Sequence, residues 1–276
     1  MSELQKKIDR SVRLLKATCS DLEEVELSYS GGKDSDVILT LAQMAGIPYR
    51  AIYKNTTIDP PGTIRHCRDK GVEVRHPKHS FWELVERKGM PSRWVRFCCS
   101  ELKEYKILDN AIQGIRRCES IKRRDLYKEP TMCRFYGSKK NHVNVILPVL
   151  DWTDEDVGEF ITVNSIQCHP LYYDENGNFH VERRLGCIGC PLKSDKGVAD
   201  LKRYPRMVRQ YLRSMKIWRD THLNTNACRN FKDEYENFMM AKFFNSYEDF
   251  KLATTGMFGE IDCKAWLEEY FKIELE

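Results

Sequence analysis

The stretch LSYSGGKDSDVIL, Leu27 to Leu39, decides how the rest of the chain is read. VELSYS (25–30) has the residue types of a strand, and DSDVILTLAQM (34–44) has the apolar spacing of a helix. Between them lie Ser30, Gly31, Gly32, Lys33, Asp34 and Ser35. Glycines let the backbone bend sharply and turn its N–H groups toward an anion. The helix that follows aims its free amides and positive dipole end at the same place. Lys33 adds a full positive charge, and Ser30 and Ser35 add hydroxyl donors. Strand, turn and helix together point to a phosphate site. The spacing is not that of a Walker A loop, which needs G-x-x-x-x-G-K-[ST].

The strand–helix rhythm continues outward. YRAIYKN (49–55) reads as a second strand, 62–70 as a helix, VEVRH (72–76) as a third strand and VNVILPVL (143–150) as another buried one. This alternation predicts an α/β fold, a parallel twisted sheet with helices on both faces. DWTDEDVGEFI (151–161) opens a helix with Thr153 and Asp156 spaced as a capping box. The first residues form an amphipathic helix with Leu4, Ile8, Val12 and Leu15 on one face. Beyond Cys190 the periodicity is helical. The expected organisation is a nucleotide-binding α/β domain over 1–193, which includes the cysteine sites, and a helical C-terminal region over 194–276.

The chain has 276 residues, 31% charged and 41% hydrophobic, with a net charge of +4. No apolar run approaches the roughly 20 residues of a membrane span. The N-terminal segment lacks the apolar centre and cleavage site of a secretion signal, so the expected location is cytoplasmic. Eleven cysteines are many for such a protein. A disulfide framework is not expected in a reducing compartment. RFCCSELK (96–103) and RLGCIGCPLK (184–193) hold two tight pairs, Cys98–Cys99 and Cys187–Cys190. Four thiolates suit either structural zinc or an iron–sulfur cluster.

SGGKDS is the signature of the N-type ATP pyrophosphatases, with their adenine nucleotide alpha hydrolase-like, Rossmann-like fold. Within them the chain most resembles the phosphoadenosine phosphosulfate (PAPS) reductase family. The likeness runs over residues 20 to 200 and includes YKNTTIDPPGT (53–63), GIRRCESIKRR (114–124), PVLDWTDEDV (148–157) and HPLYY (169–173). It implies a nucleotide site on Ser30, Gly31, Gly32, Lys33, Asp34, Ser35, Asn55, Thr56, Gly114, Arg116 and Arg123. Lys33, Asp34 and Arg116 are the expected catalytic residues, with ATP (or PAPS or adenylyl sulfate, APS) and Mg2+ as ligands. Asp34 either holds the metal or caps the helix, and Arg123 or Arg124 contacts phosphate or lies in a solvated basic turn. A Cys-Cys pair followed at long range by Cys-x-x-Cys resembles the [4Fe-4S] site of assimilatory APS reductases. That likeness assigns Cys98, Cys99, Cys187 and Cys190 as ligands, with Arg96 and Lys103 offsetting their charge. The other cysteines show no ligand spacing and read mostly as core thiols; Cys118, inside RRCES, is either one of these or a thiol near the nucleotide.

The sequence departs from the sulfonucleotide reductases in two ways. Their C-terminal Glu-Cys-Gly-Ile-His motif is missing, and the last cysteine, Cys263, sits in GEIDCKAWLEE (259–269) beside Glu260 and Asp262, which disfavours a thiolate. Lys33 is retained, where such reductases generally lose it. Both departures fit an enzyme that splits ATP between its α and β phosphates, adenylylates an acceptor and supports sulfur transfer. The implied partners are an adenine nucleotide and a sulfur donor protein such as a cysteine desulfurase or thioredoxin. A reductase using another thiol and a nucleotide-binding regulatory protein stand as alternatives. KRYPRMVRQYLRSMKIWRD (202–220) puts Arg206, Arg209, Arg213 and Lys216 on one helical stripe. That stripe is either the solvated side of a packed amphipathic helix or a grip for a nucleic-acid substrate.

Overall fold

A computed structural model describes residues 2–136, 142–256 and 259–275. The chain runs α1 (Glu3–Cys19), β1 (Glu26–Tyr29), α2 (Lys33–Ala45), β2 (Arg50–Lys54), α3 (Thr63–Asp69), β3 (Glu73–Arg75), α4 (Phe81–Lys88) and α5 (Phe97–Leu102). It continues with β4 (Asn110–Ile112), α6 (Ile121–Leu126), β5 (Thr131–Phe135), β6 (His142–Ile146) and α7 (Asp154–Val163). Then follow α8 (Val198–Arg203), α9 (Arg206–Thr221), α10 (Asn226–Asn230), α11 (Glu234–Phe243), α12 (Tyr247–Thr254), the short strands β7 (Thr255–Gly256) and β8 (Gly259–Glu260), and α13 (Cys263–Phe271). Two compact units interleave along the chain. One comprises Met1–Asn55, Asp59–Pro77 and Ser100–Gly186; the other comprises Thr56–Ile58, Lys78–Cys99 and Cys187–Glu276.

The first unit is built on a six-stranded sheet in the order β3-β2-β1-β4-β6-β5. β1 lies between β2 and β4, parallel to both, with Leu27 opposite Ala51 and Ile112. Its neighbours continue the parallel run to β3 and β6. Only β5, at the edge, is antiparallel, pairing with β6 from Thr131–Ile146 to Phe135–His142. The sheet is thus mostly parallel, as the strand–helix alternation predicts. Alternate strand residues face opposite sides. Leu27, Ile112 and Ile146 join α1, α2 and α7 in the main core, whereas Ala111 and Val145 join Tyr127, Val143 and Leu150 in a second cluster. Leu4 and Leu15 of α1 are buried in the main core and Ile8 and Val12 pack against it, so the amphipathic stripe does what its spacing predicts.

The expected strand over 143–150 ends early, at Ile146. Pro148 has no N–H to donate to a ladder, and residues 147–150 form a turn instead. Two strands had no clear sequence signature. β4 is three residues long, and β5 is half exposed at the sheet edge. The capping box of α7 is present: Asp156 N donates to Thr153 Oγ1 at 3.3 Å and Thr153 N to Asp156 Oδ2 at 2.7 Å.

The second unit is helical apart from β7 and β8 among the described residues. α9 packs on α4 and α11, and α11 on α13. In α9 the residues Val208, Tyr211, Leu212, Met215 and Trp218 are buried, while Arg206, Arg209, Arg213 and Lys216 are exposed. The helix is therefore amphipathic in fact, with its basic stripe outward. Among the described residues no helix is long and apolar enough to cross a membrane.

Candidate functional site

The sharp entry into α2 explains the two glycines of the turn. Gly31 has φ +78°, a region that side chains disfavour, and a Cβ there would stand 3.0 Å from Thr63 Cγ2. Gly32 is the N-cap of α2 and offers no side chain of its own. The turn ties itself together: Ser35 Oγ donates to Gly32 O at 2.6 Å, and Gly32 N approaches Ser30 Oγ at 3.4 Å. The Tyr172 hydroxyl, from the HPLYY stretch, accepts from Lys33 N at 3.2 Å.

Around this turn the fold gathers charge from two further segments. β1 sits where the strand order reverses, with β2 and β3 on one side and β4 on the other. Ligands of open α/β sheets bind at the carboxyl ends of strands at such a point. Gly114, just past β4, lets the chain pass the first turn of α2; a Cβ there would come within 2.9 Å of Asp34 O. Two residues on, Arg116 is 1% exposed, with Nε 2.7 Å from Asp34 Oδ1 and one terminal nitrogen 2.7 Å from Asp154 Oδ1. Lys33 Nζ lies 3.3 Å from Asp34 and 3.9 Å from Asp154. Asp34 Oδ1 and Arg116 Nε face each other without hydrogen-bond alignment, so both buried atoms lack a hydrogen-bond partner. The two atoms are instead ion-pair partners, set beside Lys33 at the N-terminus of α2, where a helix favours an anion.

Other expected residues are placed less uniformly. Arg123 lies on α6 and pairs with Glu119. Burial is the main cause that lowers its pKa, and the charges of Arg184, Asp34 and Arg116 also act on it. Arg124 is exposed. Cys118 accepts from Arg116 at 3.3 Å, which sets its thiol beside the charged group. Asn55 is buried and bonds His76 at 3.3 Å. Thr56 belongs to the other unit, where Cys187 Sγ donates to its hydroxyl at 3.5 Å. Beside Ser30, a cavity of about 170 Å³ is lined by Ser28, Ile52, Lys54, Asp59 and Lys103. Lys54 there forms a buried pair with Glu26 at 3.0 Å, and burial holds its pKa below the usual lysine range.

Sequence reading missed Asp154 and a buried polar lattice under the turn. The Tyr29 hydroxyl donates to Asp36 and lies 3.0 Å from His66 Nε2, which is 3.2 Å from both Asp36 oxygens. His169 Nδ1 accepts from Leu171 N at 3.1 Å, and burial, then the nearby His66, pushes its pKa down to about 4. The lattice ties β1, α2, α3 and the HPLYY segment together. Its signal in the sequence was weak, because Asp36 reads as an ordinary first-turn helix residue.

The four expected ligands all fall in the second unit. Cys98 and Cys99 sit in the first turn of α5, and Cys187 and Cys190 flank the Ile188–Gly189 loop. They are brought together: the Cys98 thiol is pushed far up by a hydrogen bond with Cys99, by burial, and by the charges of Cys99, Cys187 and Cys190. Among the described residues no group of three or more His, Cys, Asp or Glu stands in metal-holding geometry. The Cys187–Cys190 loop is held on several sides. Gly189 (φ +70°) lies against Tyr211 and Leu201, and Gly197 (φ +78°) passes so close that a Cβ would meet the Gly189 backbone at 2.4 Å. Gly189 N donates to Asp200 at 3.1 Å, Tyr211 donates to Ile188 O at 3.2 Å, and Lys242 donates to Gly189 O at 2.6 Å. Burial lowers the Lys242 pKa to about 8 against the opposing pull of Cys190 and Asp200. Arg93 donates to Pro191 O and Lys193 O, while Arg96 is exposed.

Cys263 is buried, and its pKa is raised to about 11. Burial comes first among the causes, then Glu236, Asp233 and Asp262, the last of these one of the two flanking acids read from the sequence.

The phosphoadenosine phosphosulfate reductase domain matches residues 24–193, a span that holds the turn and both cysteine pairs. An uncharacterised protein of Methanocaldococcus jannaschii is 30% identical over 240 residues, covering 77% of this chain. The chain spans about half that relative's length, 55%. Sulfate adenylyltransferase subunit 2 of Parabacteroides distasonis is 23% identical over 210 residues, which is 63% of this chain and 68% of the relative. The crystal structure of phosphoadenylyl-sulfate reductase from Candida auris aligns over 68% of this chain and 96% of its own, with a TM-score of 0.47 and 16% identity. With that domain matched over more than half of its residues, the chain belongs to the phosphoadenosine phosphosulfate reductase family.

Proposed function

We propose that this chain is an ATP-pyrophosphatase-type enzyme that adenylylates an acceptor for sulfur transfer or redox sulfur chemistry and carries a [4Fe-4S] cluster on Cys98, Cys99, Cys187 and Cys190. The observation that carries the nucleotide half is the buried Arg116–Asp34 pair beside Lys33 at the N-terminus of α2. Lys33 and Arg116 supply positive charge for a triphosphate, and the amides of the turn and α2 supply donors. The carboxylates of Asp34 and Asp154 are the hard oxygen donors that a phosphate-bound Mg2+ takes. In the reaction, an acceptor oxygen attacks the α-phosphorus, the bond to the α–β bridging oxygen breaks, and pyrophosphate leaves with the electron pair. The acceptor gives up its proton to solvent. Charge develops on the departing pyrophosphate, where Lys33 acts. A relative named sulfate adenylyltransferase is consistent with adenylyl transfer.

Four thiols in one unit, three of which act on Cys98, are the soft donor set that a cluster takes, and a bound cluster would supply electron transfer or a sulfur-handling site. The reductase reading is weaker, because the last cysteine is buried with a raised pKa. The test is anaerobic purification with iron and acid-labile sulfide analysis, then pyrophosphate release from ATP with candidate acceptors. About four irons per chain, lost in Cys98→Ser and Cys187→Ser, establish the cluster. Zinc or no metal removes it. Sulfite release from PAPS or APS with thioredoxin, without ATP cleavage, would favour the reductase.

A further inference from the structure

Lys242 stands in EYENFMMAKF, a helix whose sequence gives no sign of a site. It is nevertheless 3% exposed. Its ammonium donates to Gly189 O at 2.6 Å and to Lys196 O at 3.3 Å, and lies 4.9 Å from the centroid of the Tyr211 ring. Among the described residues it forms no salt bridge with a carboxylate. A buried cation without an anionic partner is costly, and two carbonyls with a ring face compensate only part of that cost. The neighbouring carboxylate, Asp200, is already paired to Lys193 at 2.6 Å and to the Gly189 amide. The carbonyl that Lys242 holds belongs to the residue just before Cys190. Asp195, which also acts on Lys242, accepts from the Gly197 and Ala199 amides, and Cys190 and Cys98 are the other groups whose charge favours the ammonium.

We propose that Lys242 is the buried counter-charge of the four-cysteine site. It is a positioning residue that grips the Cys187–Cys190 loop and offsets the negative charge of thiolates bound to a cluster. This rests on the cluster reading above. Net charge and nearby hydrogen bonds set the potential of a cluster, and the residues behind the ligands set how firmly it is held. Removing a nearby positive charge disfavours the reduced, more negative state.

The test uses the full chain, reconstituted anaerobically, as wild type, Lys242→Gln and Lys242→Arg. Readouts are iron retained against a competing chelator and a redox titration followed by visible and electron-paramagnetic-resonance spectra; circular dichroism checks folding. Gln keeps a donor for the Gly189 carbonyl but loses the charge. In Lys242→Gln, retention is expected to weaken by about 10–100-fold. The ratio of reduced to oxidised cluster at fixed potential is expected to fall at least about tenfold, or about 59 mV for one electron. Lys242→Arg restores the wild-type ratio. If the Gln variant does not fold, the Arg variant decides: a wild-type potential supports the assignment, and a tenfold fall despite the retained charge overturns it. A loaded Gln variant with wild-type retention and potential overturns this inference alone. A wild type that holds no iron overturns the cluster reading, and the inference with it.

Discussion

The phosphate turn and the cysteine loops belong to different units and are built in opposite ways. Six consecutive residues make the turn, and they bond to one another within a strand–helix junction. The cysteine site takes two thiols from the first turn of α5 and two from a distant loop. Residues of α8, α9 and α11, together with Gly197, then impose its shape. A site whose geometry follows from local backbone conformation can be recognised from its residues. One assembled by packing shows only its reactive atoms.

The comparison is sharpest if each site fails alone. Lys33→Ala is expected to slow ATP cleavage by about 100–1000-fold, the loss that follows removal of one charge-stabilising donor. Its iron content should equal wild type, whereas Cys187→Ser should lose iron and still bind nucleotide. A Lys33→Ala chain that also loses iron would break the separation.

A pH series probes the lattice beneath the turn. His169 is held neutral, its pKa depressed to about 4 from the usual 6.5. Its contribution to stability is complete above pH 6.5 and is lost as pH falls toward 4, because the unfolded chain takes up the proton first. The ceiling is about 3 kcal/mol. Denaturant midpoints of wild type should therefore drop between pH 7 and 4.5 more steeply than those of His169→Asn, which keeps an acceptor for Leu171 N. Equal slopes would show that His169 does not carry the pH dependence.

Gly197→Ala tests the cysteine side in the same way. Its Cβ cannot fit 2.4 Å from the Gly189 backbone, and its φ is positive. About 1–3 kcal/mol of destabilisation, read by urea unfolding, should accompany reduced iron uptake with Lys33-dependent chemistry intact. The smallest effect is expected at Arg213, exposed on α9: Arg213→Ala should shift stability by less than about 0.5 kcal/mol and leave iron unchanged. A loss of binding to single-stranded nucleic acid in that variant would give the basic stripe a function that packing does not.

Residues by themselves determined the α/β rhythm, the phosphate turn, the α1 stripe and the capping box of α7. Each depends on bonds or periodicities spanning a few positions. Tertiary structure alone decided the rest. Asp154 meets Arg116 only because α7 and the segment after β4 end at the same crevice, and Asp36 joins Tyr29 and His66 only because α2 and α3 pack beside β1. β4 is a strand because β1 and β6 pair with it, since its three residues have too little pattern to declare themselves. Thr56 and Lys242 are the clearest cases. Thr56 is expected at the nucleotide from its motif and is set against Cys187 by the fold; Lys242 carries no signal in its helix and is buried on Gly189 O. Burial and charge compensation depend on what the rest of the chain brings within a few ångströms, and no local stretch of sequence contains that information.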